Sequence, residues 1–69
     1  MIRKGTKVKW KWGNGEAEGK VVETYSKKVT KTIKGNNVTR HGEAGNKALF
    51  IKQSDGSEVL KSEDEVTKL

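Results

Sequence analysis

Three two-residue turn motifs divide this 69-residue chain into short strand-like runs. The motifs are Asn14-Gly15, Gly35-Asn36 and Asp55-Gly56, and the chain contains no proline. Asn-Gly and Asp-Gly favour tight hairpins because primed turns need a positive φ at their central residues. Around the first motif, apolar and polar residues alternate as they do in half-buried strands. The sequence therefore predicts an all-β fold built from hairpins.

A turn closed on Asn14-Gly15 defines the register of the first predicted hairpin. The predicted cross-strand pairs are Trp12 with Ala17, Trp10 with Gly19, and Val8 with Val21. Both tryptophans then lie on the inward face, the lysines of the same strand lie on the outward face, and Gly19 leaves room for the Trp10 indole. A slip of one residue would reverse these faces, so the pattern constrains the pairing.

Two further hairpins follow from the remaining motifs. Around Gly35-Asn36, the predicted pairs are Ile33 with Val38 and Thr32 with Thr39. Few apolar residues flank this middle hairpin, so we expect it to project from the body of the fold. Around Asp55-Gly56, the predicted pairs are Ile51 with Leu60 and Lys52 with Val59. Both faces of that hairpin carry apolar residues, which is expected where a small barrel buries a strand on both sides.

The C-terminal run Ser62-Glu63-Asp64-Glu65 has the spacing of a capping box, and acidic residues suit the start of a helix. We expect a single turn there, of the 3₁₀ type, leading into a short last strand that contains Val66. A chain this short forms one domain, residues 1–69, and its small core cannot cover an open sheet. The prediction is a small SH3-like barrel of five to six strands with a projecting middle hairpin.

Several runs of the chain resemble a known family. The runs are Gly5 to Gly15, Ala17 with Gly19 to Val22, Val29 to Gly35, Val38 to Arg40, Ser54 to Gly56 and Val59 to Ser62. The first of these looks like the opening of a Tudor- or KOW-like barrel. The full pattern resembles the hypervirulence-associated Tudor-like family of small microbial proteins. That resemblance implies an SH3/Tudor-like fold, and it supplies neither catalytic residues nor a ligand.

The residues that enzymes and metal sites need are scarce. The chain has no cysteine and one histidine, His41, so it cannot build a thiolate or polyhistidine zinc site. Its acidic residues lack the spacing of a calcium loop, and no nucleophile stands in a recognisable arrangement with a base. We therefore expect no enzyme activity, no metal and no cofactor. No apolar run exceeds four residues, so we expect neither a membrane span nor a signal peptide, and a cytoplasmic location is favoured. We also expect a monomer.

Charge is concentrated in the first half of the chain. The net charge is +6, and the first 34 residues hold ten basic and three acidic side chains. On the predicted pairing, Lys20 lies opposite Lys9, an unfavourable contact that invites a functional explanation. The candidate phosphate-binding residues are Lys7, Lys9, Lys11, Lys20, Lys27, Lys28, Lys31, Lys34 and Arg40. Two structural explanations stay open: a positive charge aids solubility, and exposed lysines keep an edge strand from pairing with other chains.

The four aromatic side chains offer a second candidate site. Trp10 is expected in the core, and Trp12 lies either in the core or at the barrel rim, beside the turn. Tyr25 and Phe50 could form a rim pocket with Trp12, although a methyl-lysine cage needs about three converging aromatics.

The predicted function is a non-catalytic binding module whose partner is nucleic acid, held through phosphates with low sequence specificity. The alternative is a protein-interaction module that docks an acidic or extended peptide, along a sheet edge or against the rim aromatics. A third possibility uses the projecting hairpin as a dimer edge.

Overall fold

The computed structural model describes residues 2–69, in which seven strands and one 3₁₀ turn follow one another along the chain. The strands are β1 (Lys7–Trp12), β2 (Gly15–Tyr25), β3 (Lys28–Ile33), β4 (Asn36–His41), β5 (Ala48–Lys52), β6 (Glu58–Ser62) and β7 (Thr67–Lys68). The 3₁₀ turn, η1, spans Glu63–Glu65. The all-β prediction is confirmed. The structure has seven strands rather than the predicted five to six, and the seventh, β7, has only two residues.

Five strands form one antiparallel sheet in the order β6-β5-β2-β1-β7, and β3 and β4 form a second sheet. Strand β2 has 11 residues, so its first half pairs with β1 and its second half pairs with β5. The β2–β5 register shifts between Val21 and Glu23, where a bulge increases the local bend. The predicted middle hairpin, β3–β4, forms the second sheet by itself, and it packs against β6.

The core lies on the inner face of the five-stranded sheet. Its buried side chains are Ile2, Val8, Trp10, Val21, Leu49 and Ile51. Ala48 and Leu60 are also buried, but the register places them on the other face of the sheet. Strand β5 is thus covered on both faces, as its apolar composition predicts.

The first two hairpins turn one residue earlier than predicted. The observed pairs are Trp12 with Gly15, Trp10 with Ala17, Val8 with Gly19, Ile33 with Asn36, and Thr32 with Asn37. The central turn residues are Gly13-Asn14 and Lys34-Gly35, with positive φ at Gly13 (56°), Lys34 (51°) and Gly35 (80°). Both predicted registers were wrong by two residues, which leaves each side chain on its predicted face because the pleat repeats every two residues.

Gly19 makes room for a different side chain than the one predicted. It lies opposite Val8 rather than Trp10. A Cβ atom built on Gly19 would come within 2.5 Å of Ile51 Cγ2 and 3.0 Å of the Lys52 carbonyl oxygen. The missing side chain therefore lets β5 pack Ile51 into the core beside β2.

The third hairpin closes through a five-residue loop, 53–57, rather than a two-residue turn. Its pairs include Ile51 with Val59 and Lys52 with Glu58, so the predicted register was wrong by one residue. The loop is held by a hydrogen bond from the Gln53 N–H to the Ser57 carbonyl oxygen, at 2.7 Å. A shift of one residue exchanges the two faces, so Val59 joins the core cluster and Leu60 faces the opposite side.

The C-terminal turn forms where the capping-box pattern predicts it. Ser62 precedes η1, and the Ser62 N–H donates to Glu65 Oε1 at 2.9 Å. The last strand begins at Thr67, one residue after Val66, and pairs with β1. The predicted 3₁₀ turn is confirmed, while Val66 lies just outside the strand in which we expected it.

Candidate functional site

Three exposed lysines form a row across the outer face of the five-stranded sheet. Lys7 on β1 is the register partner of Lys20 on β2, and Lys20 is also the register partner of Lys52 on β5. Neighbouring strands lie about 4.8 Å apart, so the three side chains leave the backbone within about 10 Å. We call Lys7, Lys20 and Lys52 the lysine row.

The other two lysines of β1 have acidic neighbours. The observed register places Lys9 opposite Glu18 and Lys11 opposite Glu16, so the predicted contact between Lys9 and Lys20 was wrong. Lys9 Nζ lies 3.8 Å from Glu16 Oε1. Cross-strand pairs of opposite charge stabilise a sheet, and this accounts for Lys9 and Lys11 without a ligand.

Lys7 and Lys20 have only lysines as register partners, whereas Lys52 also lies opposite the acidic residue Glu58. The ion pairs closer than 4.0 Å in this part of the chain are Lys9–Glu16 and Arg40–Glu65, and neither includes a row lysine. The next position along the row, on β6, is Glu58, the register partner of Lys52, and it forms no such ion pair. An open groove of about 410 Å³ borders the row, and its other walls include Glu18, Val22, Gln53 and Leu69. Three adjacent positive charges thus face solvent together.

The guanidinium group of Arg40 is paired with an acidic side chain of the fold. Arg40 Nε donates to Glu65 Oε1 at 3.2 Å, which ties β4 to η1. Burial raises the pKa of Glu65, but the hydrogen bond from the Ser62 N–H and the charges of Arg40 and Lys61 outweigh it, so the pKa lies below its ordinary value. This predicted phosphate-binding residue is therefore engaged within the fold.

Lys31 is also engaged within the chain. Its Nζ atom lies 5.2 Å from the centre of the Tyr25 ring and 5.1 Å from the centre of the Phe50 ring, within the range of a cation–π contact. Hydrogen bonding with the Tyr25 hydroxyl raises the pKa of Lys31. The remaining hairpin lysines are exposed, and the groove beside the lysine row includes none of them: Lys27, Lys28 and Lys34.

Tyr25 and Phe50 have Lys31 as a common neighbour, but Trp12 lies elsewhere. Trp12 is 72% exposed, whereas Trp10, two residues earlier on the same face, is 4% exposed. Trp12 lines a separate open groove of about 600 Å³ between the first hairpin, the tip of the β3–β4 hairpin and the β5–β6 loop. We call it the Trp12 groove. The predicted pocket of three aromatics does not form, because Trp12 lines a groove that includes neither Tyr25 nor Phe50.

The Trp12 groove is mixed in character. Its apolar members include Ile33, Val38 and Val59, and its charged members are Lys34, Lys61, Asp55 and Glu58. Hydrogen bonds from the backbone and side chain of Ser57 lower the pKa of Asp55, and the Ser57 N–H lies 2.9 Å from Asp55 Oδ1. Two positive and two negative side chains therefore balance one another in this groove.

Gln53, in the β5–β6 loop, is a wall residue of both grooves. The sequence patterns did not single out Lys52 or Gln53. Their place beside Lys20 depends on the pairing of β2 with β5, strands joined through the whole middle hairpin. A local pattern of turns and alternation carries no signal for such a long-range register.

The acidic cluster near the C-terminus belongs to the fold. Glu63 Oε1 accepts a hydrogen bond from the Lys47 N–H at 2.7 Å, and the Asp64 N–H donates to Asn46 Oδ1 at 3.1 Å. Across residues 2–69, no three histidine or acidic side chains gather closely enough to hold a metal ion. Over the same residues, no helix has the length and apolarity to cross a bilayer.

A small all-β domain that presents an exposed lysine row and an open groove belongs to the class of binding modules rather than to a typical enzyme fold. Residues 5–66 match the family model of the Tudor domain of hypervirulence-associated proteins, and the chain belongs to this family. The family resemblance of the sequence is thereby confirmed. Searches of curated proteins and of solved structures found no match to the chain.

Proposed function

We propose that this domain binds nucleic acid, with low sequence specificity, through phosphate contacts to the lysine row. The observation that carries the proposal is the alignment of Lys7, Lys20 and Lys52 at matching positions of three adjacent strands. Phosphates repeat along a nucleic-acid strand, and each lysine that neutralises one releases a condensed counterion. A compact row of positive charges suits such a ligand.

The protection of sheet edges does not account for the lysine row. Strand β2 lies between β1 and β5, β5 lies between β2 and β6, and β1 lies between β2 and β7. Lysines discourage unwanted pairing on edge strands, and none of these three strands is an edge. Solubility does not account for the alignment either, since scattered lysines give the same net charge without placing like charges opposite one another.

The experiment compares two double variants that each remove two positive charges. Lys20→Gln with Lys52→Gln interrupts the row, and Lys27→Gln with Lys28→Gln removes the same charge from the exposed hairpin. We expect the row variant to lose affinity for every oligonucleotide sequence, and the slope of log K against log salt to flatten by roughly 1.5, the loss of about two phosphate contacts. The hairpin variant should keep most of its affinity and slope.

Fluorescence anisotropy of a labelled oligonucleotide at several salt concentrations gives both quantities, and thermal melts confirm that both variants fold. Equal losses in the two variants would show that net charge, and not the row, governs binding. An acidic peptide titrated in parallel tests the alternative partner. Binding of that peptide together with unchanged oligonucleotide affinity in the row variant would reject the proposal.

A further inference from the structure

We infer that the Trp12 groove receives an unpaired base of the same nucleic-acid strand, so that the natural ligand is single-stranded. This inference rests on the proposed function, because the strand is first held by its phosphates on the lysine row. It assigns a role to a surface that the lysine row leaves unexplained.

The exposure of Trp12 is the first support. An indole that is 72% exposed leaves a large apolar ring in water, and the fold already uses its other tryptophan, Trp10, in the core. Single-stranded nucleic acids bind by stacking their bases on such aromatic rings, whatever the base. Within a duplex, each base face is covered by its neighbours, so away from the duplex ends only an unpaired base can stack on Trp12.

The polar groups of the Trp12 groove are the second support. Lys34 and Lys61 are balanced by Asp55 and Glu58, so the groove has no net charge with which to attract phosphates. Its amides, Asn36 and Gln53, and its carboxylates suit the donors and acceptors on the edges of bases. The volume of about 600 Å³ lies within the usual range of small-ligand sites.

The third support is the residue that the two grooves share. Gln53 lines both the groove around the lysine row and the Trp12 groove, and Lys52 precedes it in the chain. The lysine row lies on the outer face of the sheet and Trp12 on the inner face, so a strand that contacts both must bend around the β5–β6 loop. Duplex DNA resists bending over distances far longer than this domain, whereas a single strand follows such a path.

The experiment separates stacking from phosphate contacts by using two ligands of equal length, a single-stranded oligonucleotide and its abasic counterpart. The unmodified domain should bind the intact strand roughly 5- to 150-fold more tightly than the abasic strand, the range expected for one stacked base. Trp12→Ala should remove this preference without changing the affinity for the abasic strand. Trp12→Phe should retain most of it.

Salt dependence distinguishes this inference from the proposed function. The loss caused by Trp12→Ala should be the same factor at every salt concentration, because stacking releases no counterions, whereas the lysine-row variant changes the slope. Equal affinity of the unmodified domain for intact and abasic strands would overturn the inference and leave phosphate binding intact. Quenching of Trp12 fluorescence by an acidic peptide, but by neither strand, would overturn it in favour of a protein partner. Failure of both strands to bind would overturn both proposals.

Discussion

At the scale of single residues, the two tryptophans show how position within a strand decides burial. Trp10 and Trp12 share the inward face of β1, and alternation alone treats them alike. Trp12 ends the strand beside the turn at Gly13, so no neighbouring strand extends far enough to cover it. The sequence predicted the core role of Trp10, whereas for Trp12 it left core and rim open, since the reach of the surrounding elements is a tertiary property.

Replacing each tryptophan by alanine gives a matched pair of stability measurements. Trp10→Ala should cost about 3–5 kcal/mol of unfolding free energy, because it empties a site that is 4% exposed in the intact domain. Trp12→Ala should cost about 0.5 kcal/mol, as expected for a surface side chain. Urea unfolding monitored by circular dichroism measures both. A loss at Trp12 as large as the loss at Trp10 would show that the Trp12 ring is packed rather than exposed.

At the scale of strands and turns, hairpin faces could be predicted more securely than registers. Asn14-Gly15 and Gly35-Asn36 correctly indicated turns, but the central residues are Gly13-Asn14 and Lys34-Gly35. Gly13 and Gly15 flank Asn14, and Gly35 belongs to both candidate turns of the middle hairpin. Local chemistry therefore does not choose between registers that differ by two residues. The loop after Lys52 was harder, since its length of five residues depends on the hydrogen bonds of Gln53 and Ser57.

The link between η1 and β4 should depend on pH in a defined direction. Because the pKa of Glu65 is lowered in the folded state, its carboxylate stabilises the fold fully above the ordinary value of 4.5. That contribution is lost as the pH falls through the lowered value. Glu65 is 37% exposed, so solvent screening keeps the effect small.

Glu65→Gln, with the exposed Glu43→Gln as its control, isolates this contribution. The difference in melting temperature between the unmodified domain and the Glu65 variant should be largest near neutral pH and shrink below pH 4.5. The Glu43 variant should show no comparable trend. If the difference in melting temperature between the unmodified domain and the Glu65 variant stayed constant down to strongly acidic pH, the charge of the Glu65 carboxylate would not be what links η1 to Arg40.

At the scale of the whole molecule, the charge pattern separates residues that stabilise the sheet from residues that strain it. Lys9 and Lys11 lie opposite glutamates, whereas Lys20 lies between Lys7 and Lys52. The first arrangement lowers the energy of the folded sheet, and the second raises it. Sequence counts gave the same weight to all these lysines, because only the strand order reveals which charges are adjacent.

The same substitution at Lys20 and at Lys11 should therefore change stability in opposite directions. Lys20→Gln relieves repulsion from two neighbours and should raise the unfolding free energy by up to about 1 kcal/mol, while Lys11→Gln removes an attraction to Glu16 and should lower it by a few tenths. Both effects should be clear at about 0.01 M salt and nearly vanish at about 1 M, where screening acts within about 3 Å. Urea unfolding at the two salt concentrations measures both effects. The intrinsic strand preferences of Lys and Gln cancel to first order, because both sites lie on the outer face of the sheet.

The Lys20→Gln variant links stability to binding. A higher unfolding free energy together with weaker oligonucleotide binding would show that the domain keeps a destabilising row of charges for its ligand. A lower unfolding free energy of the Lys20→Gln variant would mean that Lys20 stabilises the fold, and the lysine row would then need no phosphate ligand to explain it.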